Sequence, residues 1–152
     1  MNKKKSNRHA SGRMTANKAV LLPQTDKSAR AQSLRHHLVL EALKVGSGNG
    51  QLLTDLVRVV YFTWYLQSAG FGATKLEIYL EAERALARCG ARGMEEDIWQ
   101  LGQSDSPALE RVLALHDWQL QHAPVRALLD VERRLTRFAQ SDKTSPWQHI
   151  DA

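Results

Sequence analysis

The chain has one cysteine, four prolines and a single acidic residue among its first 30 positions, and each scarcity removes a class of protein. Cys89 has no partner for an internal disulfide, which excludes a disulfide-stapled scaffold and a cysteine-rich zinc site and makes a reducing cytoplasm the expected compartment. No apolar run is long enough to span a bilayer. Within the most apolar window, 52–73, Asp55, Arg58 and Gln67 intervene, and the longest stretch without a charge or an amide is 59–66. The N-terminal segment lacks the apolar core of a signal peptide. It is acid-free over its first 25 residues, as an organellar presequence is, but its lysines outnumber its arginines and Val20, Leu21 and Leu22 come only at its end. Period-2 alternation and internal repeats are missing too. The glycines at 46, 48 and 50 lack the lysine and the preceding strand that a phosphate loop requires.

What the chain does have is a strong charge asymmetry. Lys3, Lys4, Lys5, Arg8, Arg13, Lys18, Lys27 and Arg30 set eight positive charges against Asp26, a balance of +7, while residues 31–152 carry 13 basic and 15 acidic groups, a balance of −2. Residues 1–26 are too charged and too poor in apolar groups to repay their own ordering entropy, so a basic arm, disordered until bound, is expected there. Such an arm attracts phosphate-rich partners through counterion release without reading sequence. Lys3, Lys4, Lys5, Arg8, Arg13 and Lys18 are its candidate nucleic-acid contacts. The remaining chain, about 120 residues, can bury roughly two thirds of its unfolded surface around one core.

From Ser28 the apolar spacing becomes helical, and it predicts an all-α bundle of about five helices over 27–140, followed by a polar tail, 141–152. Helix one carries the stripe Ala31, Leu34, Leu38, Ala42 and Val45 and ends at the glycine-rich 46–50. Helix two spans 51–69 with Leu52, Leu53, Leu56, Val59, Val60, Thr63 and Trp64 inward, Gly70 as its left-handed cap and Phe71 closing that cap. Thr74 and Glu77 form a capping-box pattern, so helix three is expected to start at Lys75 and to stop near Cys89 and Gly90. Ser106 and Pro107 open helix four, and Pro124 breaks the pattern and restarts it as helix five. Leu38, Leu56, Val60, Leu80, Leu113 and Leu128 are the expected core. The tail is polar apart from Trp147 and Ile150.

Few residues carry reactive chemistry. Glu83, His116 and Glu132 fall near the middle of the apolar stripes of helices three, four and five, where two carboxylates and an imidazole could hold a metal or tune one another for acid–base work. A hydrogen-bonded structural network, or long side chains reaching the rim, is the favoured reading, because the Glu-x-x-His ligands of bundle metal sites are missing. No catalytic residue, metal or cofactor is therefore expected. His36 and His37 point about 100° apart on a helix and cannot share an ion, whereas His37 and Glu41 form an i,i+4 pair. Cys89 reads as a small apolar filler. Arg58, Tyr61, Phe62 and Tyr65, opposite the main stripe of helix two, are the candidate partner-binding patch, unless that helix is central and covered all round. Helices two and three also invite comparison with a helix-turn-helix, but Glu77, Glu81 and Glu83 on the second helix would repel phosphate.

The stretch Ser33 to Leu38, Glu41 to Leu43, the glycine loop, Leu56, Val57 and the run Tyr61 to Leu66 resembles small proteins of proteobacterial genomes and mobile elements, often labelled Fis family transcriptional regulators. The resemblance covers residues 14–90 and implies a bacterial regulatory protein. The basic C-terminal helix-turn-helix of Fis itself finds no counterpart in 141–152, and no site residues carry over. The combined expectation is a non-enzymatic regulator that meets nucleic acid through its arm, without sequence preference, and uses its bundle for a protein partner or a homodimer. The alternative is a protein-binding adaptor or inhibitor encoded by a mobile element. An enzyme built on Glu83, His116 and Glu132 ranks third. No membrane role is expected.

Overall fold

The computed structural model describes residues 18–148. They form five helices, α1 Asp26–Lys44, α2 Gly50–Ser68, α3 Leu76–Glu96, α4 Ser106–His122 and α5 Val125–Ala139, with no strand among the described residues, so the all-α expectation holds. None of these helices is long and apolar enough to cross a membrane.

α2 is the axis of the bundle. A helix that is apolar around most of its circumference is stable in water only when covered, and α1, α3, α4 and α5 all pack on it. Local chemistry sets its ends. The Asn49 side chain accepts the Leu52 N–H at 2.9 Å. At the other end Gly70 takes φ +99°, its N–H donates to the Gln67 carbonyl at 2.9 Å and the Phe71 N–H donates to the Leu66 carbonyl at 3.0 Å. Phe71 then packs against Leu66, which completes the glycine-capped stop expected from the sequence.

α3 departs from expectation by continuing through Gly90 and Gly93 to Glu96, where Asp97 caps it in the left-handed conformation, φ 57°. Its glycines are close-approach points rather than stops. A Cβ on Gly93 would lie 2.3 Å from the Trp99 ring, and one on Gly90 would lie 3.1 Å from Leu53. Each glycine costs the helix about 1 kcal/mol relative to alanine, which the packing of Trp99 and α2 offsets. The capping box does not form either. Gln67 takes both backbone groups of Thr74, donating to its carbonyl at 3.0 Å and accepting its N–H at 2.9 Å, and leaves Lys75 at the helix start without a side-chain cap. At α4 the N-cap position is held by Asp105 rather than Ser106, and its carboxylate accepts the Gly102 N–H at 3.1 Å and pairs with Arg88.

α1 is rotated half a turn from the expected orientation. Ala29, Val39, Leu40 and Leu43 face the core, and the anticipated stripe faces outward, with Leu34 and Leu38 each 60% and Val45 67% exposed. Both stripes are apolar, and polar groups decide between them. Asp117 on α4 accepts from Ser33 Oγ at 2.6 Å and bonds His37 Nε2 at 2.8 Å, which fixes the rotation; Glu41 pairs with Lys44 rather than with His37. Leu56, Val60 and Leu113 are buried as expected, Leu80 and Leu128 are half-buried, and Leu38 is not in the core. Cys89 is a buried free thiol among the core side chains.

Both ends of the described chain dock. The tail returns Trp147, only 4% exposed, to the rings of Tyr61, Trp64 and Tyr79 at centroid distances of 5.4, 5.7 and 5.9 Å. At the start, described structure begins at Lys18 rather than after residue 26. The carbonyls of Val20 and Leu22 accept the N–H groups of Arg126 and Val125 at 2.8 and 3.0 Å, and Pro23 forms an isolated bridge to Pro124. Lys3, Lys4, Lys5, Arg8 and Arg13, with the disorder expected of them, lie outside the described residues.

The two faces of α1 and α4 give a direct test. Leu113→Ala, at a fully buried position, is expected to cost about 2 to 5 kcal/mol, whereas Leu38→Ala should stay within about 0.5 kcal/mol of the parent. Urea unfolding followed by circular dichroism measures both, and equal losses would mean that α1 presents its other stripe to the core.

Candidate functional site

α1 and α5 flank α2 without packing along each other, and the space between them is a cleft of about 430 Å³. Its floor comes from α2 and α4. Leu56, Val59 and Phe62 from α2 and Leu120 from α4 form apolar wall, which Val39 of α1 and Val125, Leu128 and Leu129 of α5 continue. Gln24, ahead of α1, bridges toward α4, donating through Nε2 to the Leu120 carbonyl at 3.1 Å and accepting from Ser28 Oγ and Gln32 Nε2 at 2.9 and 2.8 Å. Two ion pairs lie at the rim, Arg35 with Asp55 at 3.8 Å and Arg58 with Glu132.

Two imidazoles line the cleft, His36 from α1 and His116 from α4, with ring centroids 5.2 Å apart. His116 is 2% exposed, and Phe62 meets its ring edge-on at 5.7 Å. Gln119 sets the His116 tautomer. Its Nε2 donates to the carbonyls of Thr63 and Phe71 at 3.1 and 2.9 Å, so its Oε1 is the acceptor that faces His116 Nδ1 at 3.4 Å. Nδ1 therefore carries the proton of the neutral ring, and Nε2 is left as an acceptor. Burial, with His36 adding repulsion, lowers the His116 pKa to about 4, while Gln119 and Asp117 oppose that shift. Burial also lowers the pKa of His36, assisted by Arg35, and its Nδ1 is buried with no hydrogen-bond partner. Near neutral pH both rings are uncharged.

Of the three groups noted in the apolar stripes, only His116 is buried. Glu83 is half-buried and accepts from Tyr61 Oη at 2.8 Å where α3 meets α2, and Glu132 reaches the cleft rim to pair with Arg58. They do not converge, and among the described residues no three His, Cys, Asp or Glu side chains are arranged to hold a metal ion. The four residues of the α2 patch are divided as well. Tyr61 packs edge-on against Phe138 and Trp147, Phe62 turns to the cleft, Tyr65 lies under the Arg134 guanidinium at 4.6 Å and Arg58 stands at the rim. Tyr61, Phe62 and Tyr65 are half-buried and meet different neighbours, so the four present no common exposed patch. His36 was not singled out from sequence as a cleft residue. Its phase with Ala29, Leu40 and Leu43 was the available signal.

Exposed basic side chains lie on several elements of the described residues, among them Arg84, Arg88 and Arg92 on α3 and a row on α5. α5 carries Arg126, Arg133 and Arg137 on one exposed stripe, with Asp130 between them pairing with Arg133 at 2.9 Å. Lys18 is exposed in the short turn that precedes the bonds from Val20 and Leu22 to the first turn of α5.

The depressed pKa of His116 makes stability depend on pH. The folded ring binds a proton less readily than the unfolded one, so its contribution is fully present above about pH 6.5, the unfolded value, and is lost as pH falls toward the folded value of about 4. Between pH 7 and pH 5 the loss should be about 2 kcal/mol. Urea midpoints at the two pH values measure it, and His116→Leu should remove most of the difference. His36 on α1, the neighbouring imidazole, also has a depressed pKa, so His36→Leu is the companion variant. No protein-family model, curated protein or solved structure matches this chain.

Proposed function

We propose that this is a non-enzymatic regulatory protein that associates with nucleic acid through its basic N-terminal arm, with the arginine stripe of α5 extending the same surface. The observation that carries this reading is where the charge lies. The first 30 residues are at +7 and the rest of the chain at −2, and the arm is tied by the Val20 and Leu22 carbonyls to the helix that bears Arg126, Arg133 and Arg137. Such an arrangement suits phosphate contacts that release counterions and give affinity without sequence reading. The outer face of α3 keeps Glu77 and Glu81 exposed, which disfavours groove reading by that helix.

A second reading, a protein-binding adaptor or inhibitor, draws support from the outward stripe of α1. Leu34, Leu38 and Val45 are largely exposed there, and a shallow groove between Ala31, Leu38 and Leu52 runs beside them. Among the described residues nothing covers this apolar surface, which is of the kind that marks protein contacts.

Salt dependence separates the two. Deleting residues 1–17 removes Lys3, Lys4, Lys5, Arg8 and Arg13 and spares the backbone bonds of Val20 and Leu22. If each of these charges meets a phosphate, the slope of log affinity against log salt for duplex DNA should become shallower by about 4 to 5 units. Anisotropy titrations at several salt concentrations measure it. An unchanged slope would make the arm a bystander, and absence of binding by both forms would favour the adaptor.

A further inference from the structure

The cleft between α1 and α5 is distinct from the outward stripe of α1, and neither reading of the protein uses it. At about 430 Å³ it falls within the roughly 300 to 1,000 Å³ range of small-molecule sites, toward its small end, which suits a molecule of one or two rings. Its apolar wall is aliphatic apart from Phe62 and suits an apolar ring body, while Gln24 and Gln32, the rim ion pairs and the two imidazoles make up the polar remainder of the lining.

Charge selects further. Arg35 and Arg58 at the rim are each matched by a carboxylate, Asp55 and Glu132, so the rim has no spare charge of either sign. An ionised ligand would find no uncompensated charge at the rim and would give up hydration on entering the apolar part of the cleft. His116 is buried by its neighbours but lines the cleft, and its Nδ1 proton is engaged by Gln119, which leaves Nε2 to accept. His36 beside it carries a buried nitrogen with no protein partner. The neutral His116 ring, with its Nε2 free to accept, is a polar group that a ligand hydrogen bond would satisfy.

We propose that the cleft is a binding site for a neutral one- or two-ring compound bearing a hydroxyl or ring N–H, with the apolar rings between α1, α2 and α5 and the polar hydrogen donated to His116 Nε2. Specificity then comes from two exclusions. The matched rim disfavours carboxylates and amines, and the imidazoles disfavour hydrocarbons that leave them unpaired.

The test uses the full chain and three probes that share one ring system: 1-naphthol, naphthalene, which lacks the hydroxyl, and 1-naphthoate, which is charged. Titrations followed by NMR of the histidine ring protons should show 1-naphthol binding one to one and shifting both His36 and His116. Naphthalene and 1-naphthoate should each bind at least about tenfold more weakly, the scale of one lost hydrogen bond. Leu129→Trp fills the mouth from a half-exposed position and should abolish binding while circular dichroism remains that of the parent. His116→Leu should reduce 1-naphthol to the affinity of naphthalene. Equal affinities for 1-naphthol and naphthalene, tightest binding by 1-naphthoate, silence of both histidines, or undiminished binding by a folded Leu129→Trp protein would each overturn the proposal.

Discussion

The covering of α2 is the constraint on which the rest of the molecule depends. Leu56, Val59, Val60, Thr63 and Leu66 lie buried along it, and the aromatics Tyr61, Phe62 and Tyr65 occupy the flank that a two-sided helix would leave to solvent. Such a helix cannot be satisfied by one neighbour. α1, α3, α4 and α5 surround it, and the tail adds Trp147 against Tyr61 and Trp64 where the helices leave a gap. The hydrophobic effect supplies this demand without direction, and directional contacts decide how each neighbour meets it.

Those contacts are few and specific. Asp117 holds Ser33 and His37 and sets the rotation of α1, while Gln67 clasps Thr74 and hydrogen-bonds Tyr79 Oη at 2.8 Å across the α2–α3 turn. Gln119 ties α4 to the carbonyls of Thr63 and Phe71. Each satisfies a polar group inside or beside the core that would otherwise be costly to bury, and so each favours one arrangement of side chains over its neighbours. The cleft follows from the same economy of contacts. α5 is seated on α2 and tied to the chain ahead of α1 through residues 20–22, but it does not pack along α1 itself, so their separation leaves the imidazoles of His36 and His116 lining a shared space.

The mismatch between anticipated and observed roles is most informative at the glycines. Gly70 is an end signal because it takes a positive φ, and the chain around it makes the corresponding cap bonds. Gly90 and Gly93 look similar in sequence but serve packing, since Leu53 and Trp99 occupy the space that a Cβ would fill. A glycine that needs left-handed backbone and one that needs room cannot be told apart until the facing residue is known, and Trp99 faces Gly93 only after the chain has turned beyond Asp97.

Sequence by itself determined the helical class, the number of helices, the ends marked by Gly70 and Pro124, and the segregation of charge into the first 30 residues. These rest on periodicity, capping and composition, which act within a turn or two of the chain. It also marked His116 as a polar group in an apolar stripe. Tertiary structure alone decided which stripe of α1 turned inward, that Trp147 docks, that Glu83 and Glu132 leave the core, and that His36 joins His116 in one cleft. A helix carrying two apolar stripes has no internal reason to prefer either. The preference comes from Asp117, some 80 residues away in sequence, and such a partner has a position only once the chain has folded.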